Sequence, residues 1–219
     1  AETKQSCWQI LPINPTECMY GSSPYGSFST YAGNSLLISP ELLVEHGYLT
    51  QDEVQITESF SNTHVEYEKV VAFKSQLWDK AFDRVKDELK SSKRFQKFCE
   101  YNAYWLDDFC LFSVIKSEQE GRVWNTWPDE FKYHDREALQ DFTAEHEDVL
   151  QRLKFIQFIF FEQWSALRKY ANTNGVLIIG DIPIYVNYDS VQVWQNPKVF
   201  KLNENLNPNV VAGIPPDDF

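Results

Sequence analysis

Residues 175–186 read Gly-Val-Leu-Ile-Ile-Gly-Asp-Ile-Pro-Ile-Tyr-Val, and no other stretch limits the possible folds of this chain so strongly. A continuous apolar run of this length, opened by glycine and closed by glycine and proline, predicts a strand buried on both faces of a parallel sheet. Parallel strands need crossover connections, so helices must lie elsewhere in the sequence and cover the sheet. Asp181 then stands where the strand leaves the sheet. In a β/α barrel the strand ends carry the site chemistry, which points this carboxylate toward a ligand. The competing reading is structural: such a carboxylate also ties down a loop through backbone amides or an arginine.

A second strand is predicted at Cys7-Trp8-Gln9-Ile10-Leu11-Pro12-Ile13, short and buried, with Asn14-Pro15-Thr16 as its exit. Between the two strands the apolar period changes. Val70, Phe73, Leu77, Trp78, Ala81, Phe82, Val85 and Leu89 recur three and four apart, which makes one face of an amphipathic helix starting at about residue 68. A second helix is expected over roughly 94–117, with Phe95, Phe98, Trp105, Phe109 and Phe112 inward and Gly121 marking its stop. A third pattern runs from about 136 to 172, broken near its middle, and ends in the very apolar Phe155-Ile156-Gln157-Phe158-Ile159-Phe160-Phe161. Such stripes are core, so Trp78, Trp105 and Trp164 receive no functional role. Strand, helices and strand in this order are the arrangement of parallel sheets.

Residues 20–35 are loop-like in composition yet hold Tyr20, Tyr25, Phe28 and Tyr31. Rings are costly in a segment that merely connects, and loops rich in aromatics and hydroxyls bind ligands. Alternatively, these rings fold back as a satellite cluster. Aromatics make up 16% of the chain, with 7 Trp and 16 Phe. Besides filling a core, flat rings suit carbohydrate, because the C–H faces of a sugar pack on them while its hydroxyls need polar partners.

The net charge of -12 is uneven: residues 1–150 hold 26 acidic and 14 basic side chains, whereas 151–219 hold 6 of each. Nucleic acid and anionic membranes are thereby excluded as expected partners, and the acidic excess reads as solvated helix faces. Cys7, Cys18, Cys99 and Cys110 show neither CxxC spacing nor nearby histidine pairs. Cys99 and Cys110 fall in one predicted helix, roughly 16 Å apart along its axis, too far to pair with each other. Reduced thiols in a cytoplasmic protein are the expectation. No apolar run approaches the ~20 residues that span a bilayer, and no ligand cluster indicates a metal or organic cofactor.

Several separate segments, in order along nearly the whole chain, resemble the 4-α-glucanotransferases called amylomaltases or disproportionating enzymes. Trp8-Gln9-Ile10-Leu11-Pro12 with Pro15-Thr16 resembles the family's second barrel strand, and Ser23-Pro24-Tyr25 through Ala32-Gly33-Asn34 and Leu37-Ile38-Ser39 the loop beyond it. Asn102-Ala103-Tyr104-Trp105-Leu106-Asp107-Asp108 resembles a helix of the inserted subdomain, and Gly180-Asp181-Ile182-Pro183-Ile184-Tyr185-Val186 the third strand. Val210-Val211-Ala212-Gly213-Ile214-Pro215-Pro216-Asp217 resembles the start of the family's active-site loop. The resemblance implies an α/β fold: part of a (β/α)8 TIM barrel, with residues from about 40 to 150 as a helical insert between two barrel strands. It implies retaining transfer of α-1,4-glucan segments between maltooligosaccharides, one carboxylate attacking the anomeric carbon and another serving as acid and base. The family's Arg-(Ile/Val)-Asp-His-Phe-Arg-Gly and Ala-Glu-Asp-Leu-Gly segments, which carry those carboxylates, occur nowhere in the sequence. His146-Glu147-Asp148 lies in a charged helical pattern and is no substitute. The expectation is therefore a fragment without catalytic residues of its own, lacking the first strand and the C-terminal half of the barrel.

Carried over by position, the resemblance assigns Ser23, Tyr25 and Asp181 to the donor side of the scissile bond, with the Tyr25 ring as a sugar platform. Tyr20 would belong to a secondary glucan site, behind the altered Glu17-Cys18-Met19 loop, and Asp217 and Phe219 would open the active-site loop. Two alternatives stay open: a glucan hydrolase of the same superfamily, and a noncatalytic glucan-binding protein.

Overall fold

The computed structural model describes residues 3–18, 21–56, 59–211 and 213. The strands β1 (Cys7–Gln9) and β2 (Leu177–Ile179) bracket helices α1 (Pro40–Glu45), α2 (Tyr67–Leu89), α3 (Lys93–Glu118), α4 (Asp129–Lys132), α5 (Arg136–Glu145) and α6 (Glu147–Thr173). A short α7 (Val191–Gln195) follows β2. The two strands pair in parallel, with Cys7 opposite Leu177, Trp8 opposite Ile178 and Gln9 opposite Ile179. Ile10 extends the ladder by donating its N–H to the Ile179 carbonyl at 3.0 Å.

Helix ends follow local chemistry. Ser39, Ser92 and Asp135 cap α1, α3 and α5 by accepting from the N–H groups of Leu42, Phe95 and Ala138. The break expected near the middle of the third pattern falls at His146, which closes α5 and opens α6. At the far end of α6, Gly175 adopts φ +72° and the Val176 N–H returns to the Ala171 carbonyl at 2.9 Å. A left-handed glycine after a helix turns the chain sharply, and here it delivers the chain straight into β2.

Helix α6 is the spine of the molecule. Residues 155–160 are all buried, because α6 lies between two hydrophobic clusters. One gathers α3, α5, α7, Trp124 and Trp127, and the other gathers α1, α2 and the N-terminal end of α3. A helix that is apolar around its circumference needs partners on every side. Trp78 and Trp105 are core, as their helical spacing predicts.

The strands depart from expectation. Both were expected to be buried, yet Trp8 is 48% exposed, Leu177 62% and Ile179 49%. Beyond β2, Ile182 and Ile184 are 80% and 90% exposed. The ladder covers 3 residues per strand rather than the longer spans expected, because in the described residues each strand has one neighbour and α6 covers one face. All four cysteines are free, Cys110 buried and Cys99 half-buried within α3. Burial raises the pKa of both the Cys99 and Cys110 thiols. Among the described residues no helix is long and apolar enough to cross a membrane.

Candidate functional site

The loop that leaves β1 and carries Tyr25 is closed at its base and fastened to the helices beyond Tyr25. Asn34 donates its N–H to the Ile13 carbonyl at 2.8 Å, and the Asn14 side chain donates to the Ala32 carbonyl at 3.2 Å. From α6, the buried Gln157 accepts from the Gly33 N–H at 2.8 Å and donates to the Gly33 carbonyl at 3.0 Å. Less than two helical turns later, Gln163 makes the same pair of bonds to Ser39, at 2.8 and 3.2 Å. Each amide mimics a strand neighbour for one residue of the loop. A side chain on Gly33 would meet the Phe160 ring at 2.0 Å, so only glycine lets the loop lie this close to α6. Lys74 of α2 completes the clamp, donating to the Leu36 and Ile38 carbonyls at 2.6 and 2.9 Å. Burial lowers its pKa, with Glu41 pulling the other way.

On this anchored loop Ser23 caps the tight helical turn Pro24–Gly26, its hydroxyl accepting from the Tyr25 N–H at 3.3 Å. The Tyr25 ring is thereby aimed across the ends of the strands. Its hydroxyl donates to Asp181 Oδ2 at 2.6 Å, across 156 residues of sequence. That bond to a carboxylate raises the Tyr25 pKa above the usual phenol value. Asp181 Oδ1 accepts from the Ile182 N–H at 2.8 Å. Ser23, Tyr25 and Asp181 are thus brought together, while Tyr20, Asp217 and Phe219 lie outside the described residues. Of the other loop rings, Phe28 folds back, stacked on Phe109 at 5.9 Å and Phe112 at 6.4 Å, whereas Tyr25 and Tyr31 stay about half exposed.

A second set of contacts holds the segment beyond β2 against the same loop. Asn187 donates to the Gly26 carbonyl at 3.1 Å, Val191 to the Phe28 carbonyl at 2.9 Å, and the Thr30 N–H to Gln192 Oε1 at 3.0 Å. Beneath it lies a buried ion pair between Lys116 of α3 and Asp189. The other Asp189 oxygen accepts from the Trp124 N–H at 3.3 Å, and the Trp124 indole donates to the Tyr188 carbonyl at 2.9 Å. Glu17 faces this pair. Burial raises its pKa, Lys116 opposes the rise and Asp189 adds to it, and its Oε2 atom is buried with no hydrogen-bond partner. Burial pushes the Tyr188 phenol up to about 12, and its hydroxyl donates to the Leu206 carbonyl at 2.6 Å.

Gln157, Gln163 and Lys116 were not singled out from the sequence, and Asp189, which with Ser190 belongs to the resemblance around the third strand, received no role there. Gln157 carried a signal: a lone amide inside Phe155–Phe161 is a buried polar group that must find partners. Chemically, the site offers a half-exposed ring beside a carboxylate with lone pairs to spare, both on restrained backbone. Such an arrangement can offer a ring face and hydrogen-bond acceptors to a polyhydroxylated ligand; among the described residues, no second carboxylate hydrogen-bonds to Tyr25 or Asp181 for acid and base work.

The family model described as 4-alpha-glucanotransferase matches residues 1–219. The chain is 41% identical to the 4-alpha-glucanotransferase of Aquifex aeolicus, an alignment covering 98% of this chain and 42% of that protein. With the enzyme of the same name from Thermus thermophilus it shares 39% identity, over 97% of this chain and 42% of the relative. Among solved structures, an amylomaltase from Streptococcus agalactiae in complex with acarbose matches with a TM-score of 0.92 and 34% identity, over 100% of this chain and 44% of that one. The chain spans less than half the length of these relatives.

Proposed function

Because this chain belongs to the 4-alpha-glucanotransferase family, whose model covers it from residue 1 to 219, we propose that it serves the transfer of α-1,4-glucan segments between maltooligosaccharides. The observation that carries the reading is the Tyr25 to Asp181 hydrogen bond of 2.6 Å, which ties a half-exposed ring to a carboxylate at the end of a parallel strand. The ring face suits the C–H side of a pyranose. An ionised carboxylate accepts at about four lone-pair positions. Tyr25 and the Ile182 N–H take one each on Asp181, and the remainder are available to sugar hydroxyls. Ser23 positions the ring and keeps its own hydroxyl proton for a ligand.

In this reading the chain supplies part of a (β/α)8 barrel, with residues from about 40 to 150 as a helical insert between two barrel strands. The donor glucan lies over Tyr25 and Asp181. Its anomeric carbon is attacked by one carboxylate, a second protonates the departing sugar, and an acceptor 4-hydroxyl then replaces the first. Neither family segment for those carboxylates occurs in the sequence, so the residues of this chain bind and orient rather than react. Tyr20 as a secondary glucan contact, and Asp217 and Phe219 at the active-site loop, belong to the same proposal.

Maltotriose separates the possibilities. We expect glucose together with longer maltooligosaccharides from a reading frame that extends to the relatives' full length, and no turnover by the 219-residue chain alone. Shorter sugars only, from the longer protein, would mean hydrolysis. Turnover by the 219-residue chain would overturn the assignment of a purely binding role to its residues.

A further inference from the structure

The loop that presents Tyr25 carries a second exposed ring, Tyr31, and that ring is part of a strip. Tyr31 meets Tyr104 of α3 edge to face, with ring centroids 5.7 Å apart and planes at 82°, and lies nearly parallel to the buried Trp105 at 6.4 Å. One turn earlier on the same face of α3 stands Tyr101. Residues three apart on a helix are neighbours, with a rise of about 4.5 Å between them. The three rings are 51%, 65% and 83% exposed in the order Tyr31, Tyr104, Tyr101. Tyr101 opens onto a shallow groove rimmed by Arg94, Asn102 and Glu162, whose charged and amide groups flank its apolar floor.

This strip is built, not incidental. Tyr104 and Tyr101 ride on a 26-residue helix, and Trp105 beneath them is fixed by its indole N–H donating to Asn102 Oδ1 at 3.0 Å. Tyr31 sits on a loop held by the Gln157 clamp at Gly33 and by Ser29, whose hydroxyl accepts from the Ala32 N–H at 3.2 Å. Tyrosine offers a flat apolar face and a polar tip, so a row of them on rigid backbone matches a ligand with C–H faces and hydroxyl edges repeated along its length. Tyr25 and Tyr31 lie 6 positions apart on one loop, a backbone span of at most about 20 Å. That distance is within the length of one extended oligosaccharide.

Building on the glucan reading of the Tyr25 and Asp181 site, we propose that Tyr31, Tyr104 and Tyr101 form an accessory platform for the distal sugars of a long α-1,4-glucan. The platform adds affinity for long chains through a second contact on the same ligand and leaves short ones untouched.

The test is calorimetric titration of the 219-residue chain with maltotriose and with maltoheptaose. Both rings on α3 are largely exposed, so removing them spares the core. In the double variant Y101A/Y104A, maltoheptaose affinity is expected to fall about tenfold while maltotriose affinity is unchanged. Y101F/Y104F, which keeps the ring faces, is expected to bind as the wild type. Unchanged maltoheptaose binding by the alanine variant would overturn the platform alone, as would equal losses for both sugars. Absence of binding of either sugar by the wild type would overturn the glucan reading on which the platform rests.

Discussion

The middle of helix α6 and the segment around strand β2 lie close in the chain and are comparably apolar, yet one is sealed and the other open. Phe155, Phe158 and Phe160 are at most 5% exposed, whereas Ile182 and Ile184, just past β2, are 80% and 90% exposed. Composition does not decide the difference; partners do. Helix α6 has α3 on one side and α2 on another, while β2 has β1 along one edge. The candidate site lies on the seam between them: Tyr25 is aimed by backbone fastened to helices, and Asp181 stands at the exit of the open strand. The helical side can therefore hold the site in register while the strand side remains exposed.

The contrast is easiest to break in the helical core. Phe112 is fully buried between Phe28, Trp127 and Trp194, and Phe112→Ala is expected to cost ~3–5 kcal/mol in urea unfolding. Lys116→Met is next, because it leaves the Asp189 carboxylate buried without its cation; breaking such a pair costs up to ~3–5 kcal/mol, and the apolar stem of Met recovers part of it. Gly33→Ala forces a methyl into the Phe160 ring, with an expected loss of ~1–3 kcal/mol read by thermal melting.

Glu17 sharpens the comparison through pH. Its folded pKa lies above its unfolded value, so the folded state binds the extra proton between the two and stability falls as pH rises through that window. Glu17→Gln is expected to raise Tm at neutral pH and to flatten this part of the stability profile, leaving stability below the unfolded pKa little changed. The smallest effect belongs to the open side: Ile184→Ser, at a residue 90% exposed, is expected to stay within about 0.5 kcal/mol of wild type. An Ile184→Ser loss as large as that of Phe112→Ala would erase the distinction between the two regions.

The helices were legible because their apolar periods are long: the Val70 to Leu89 stripe became α2, and the break before residue 147 fell where the pattern weakens at His146. Parallel pairing was legible from strand order. Strand burial was not, since an apolar run such as Val176–Ile179 records what a strand can bury and not what is beside it. In the site, the family resemblance alone put Ser23, Tyr25 and Asp181 beside one sugar, and the hydrogen bond joining Tyr25 to Asp181 had no sequence signal of its own. The clamps of Gln157 and Gln163 and the Lys116 to Asp189 pair were hidden, because each joins residues 73 to 124 positions apart through single side chains that leave no periodic trace.

The central claim is that Tyr25 and Asp181 form one glucan contact, and titration of acarbose onto wild type and Asp181→Asn tests it most directly. Asparagine keeps the size and removes the charge that Tyr25 and sugar hydroxyls share; hydrogen bonds to charged groups are worth ~1.5–3 kcal/mol. Saturable binding by wild type with at least a tenfold loss in Asp181→Asn, about 1.4 kcal/mol, is the predicted result. Equal binding by the two proteins, or none by wild type, would contradict it.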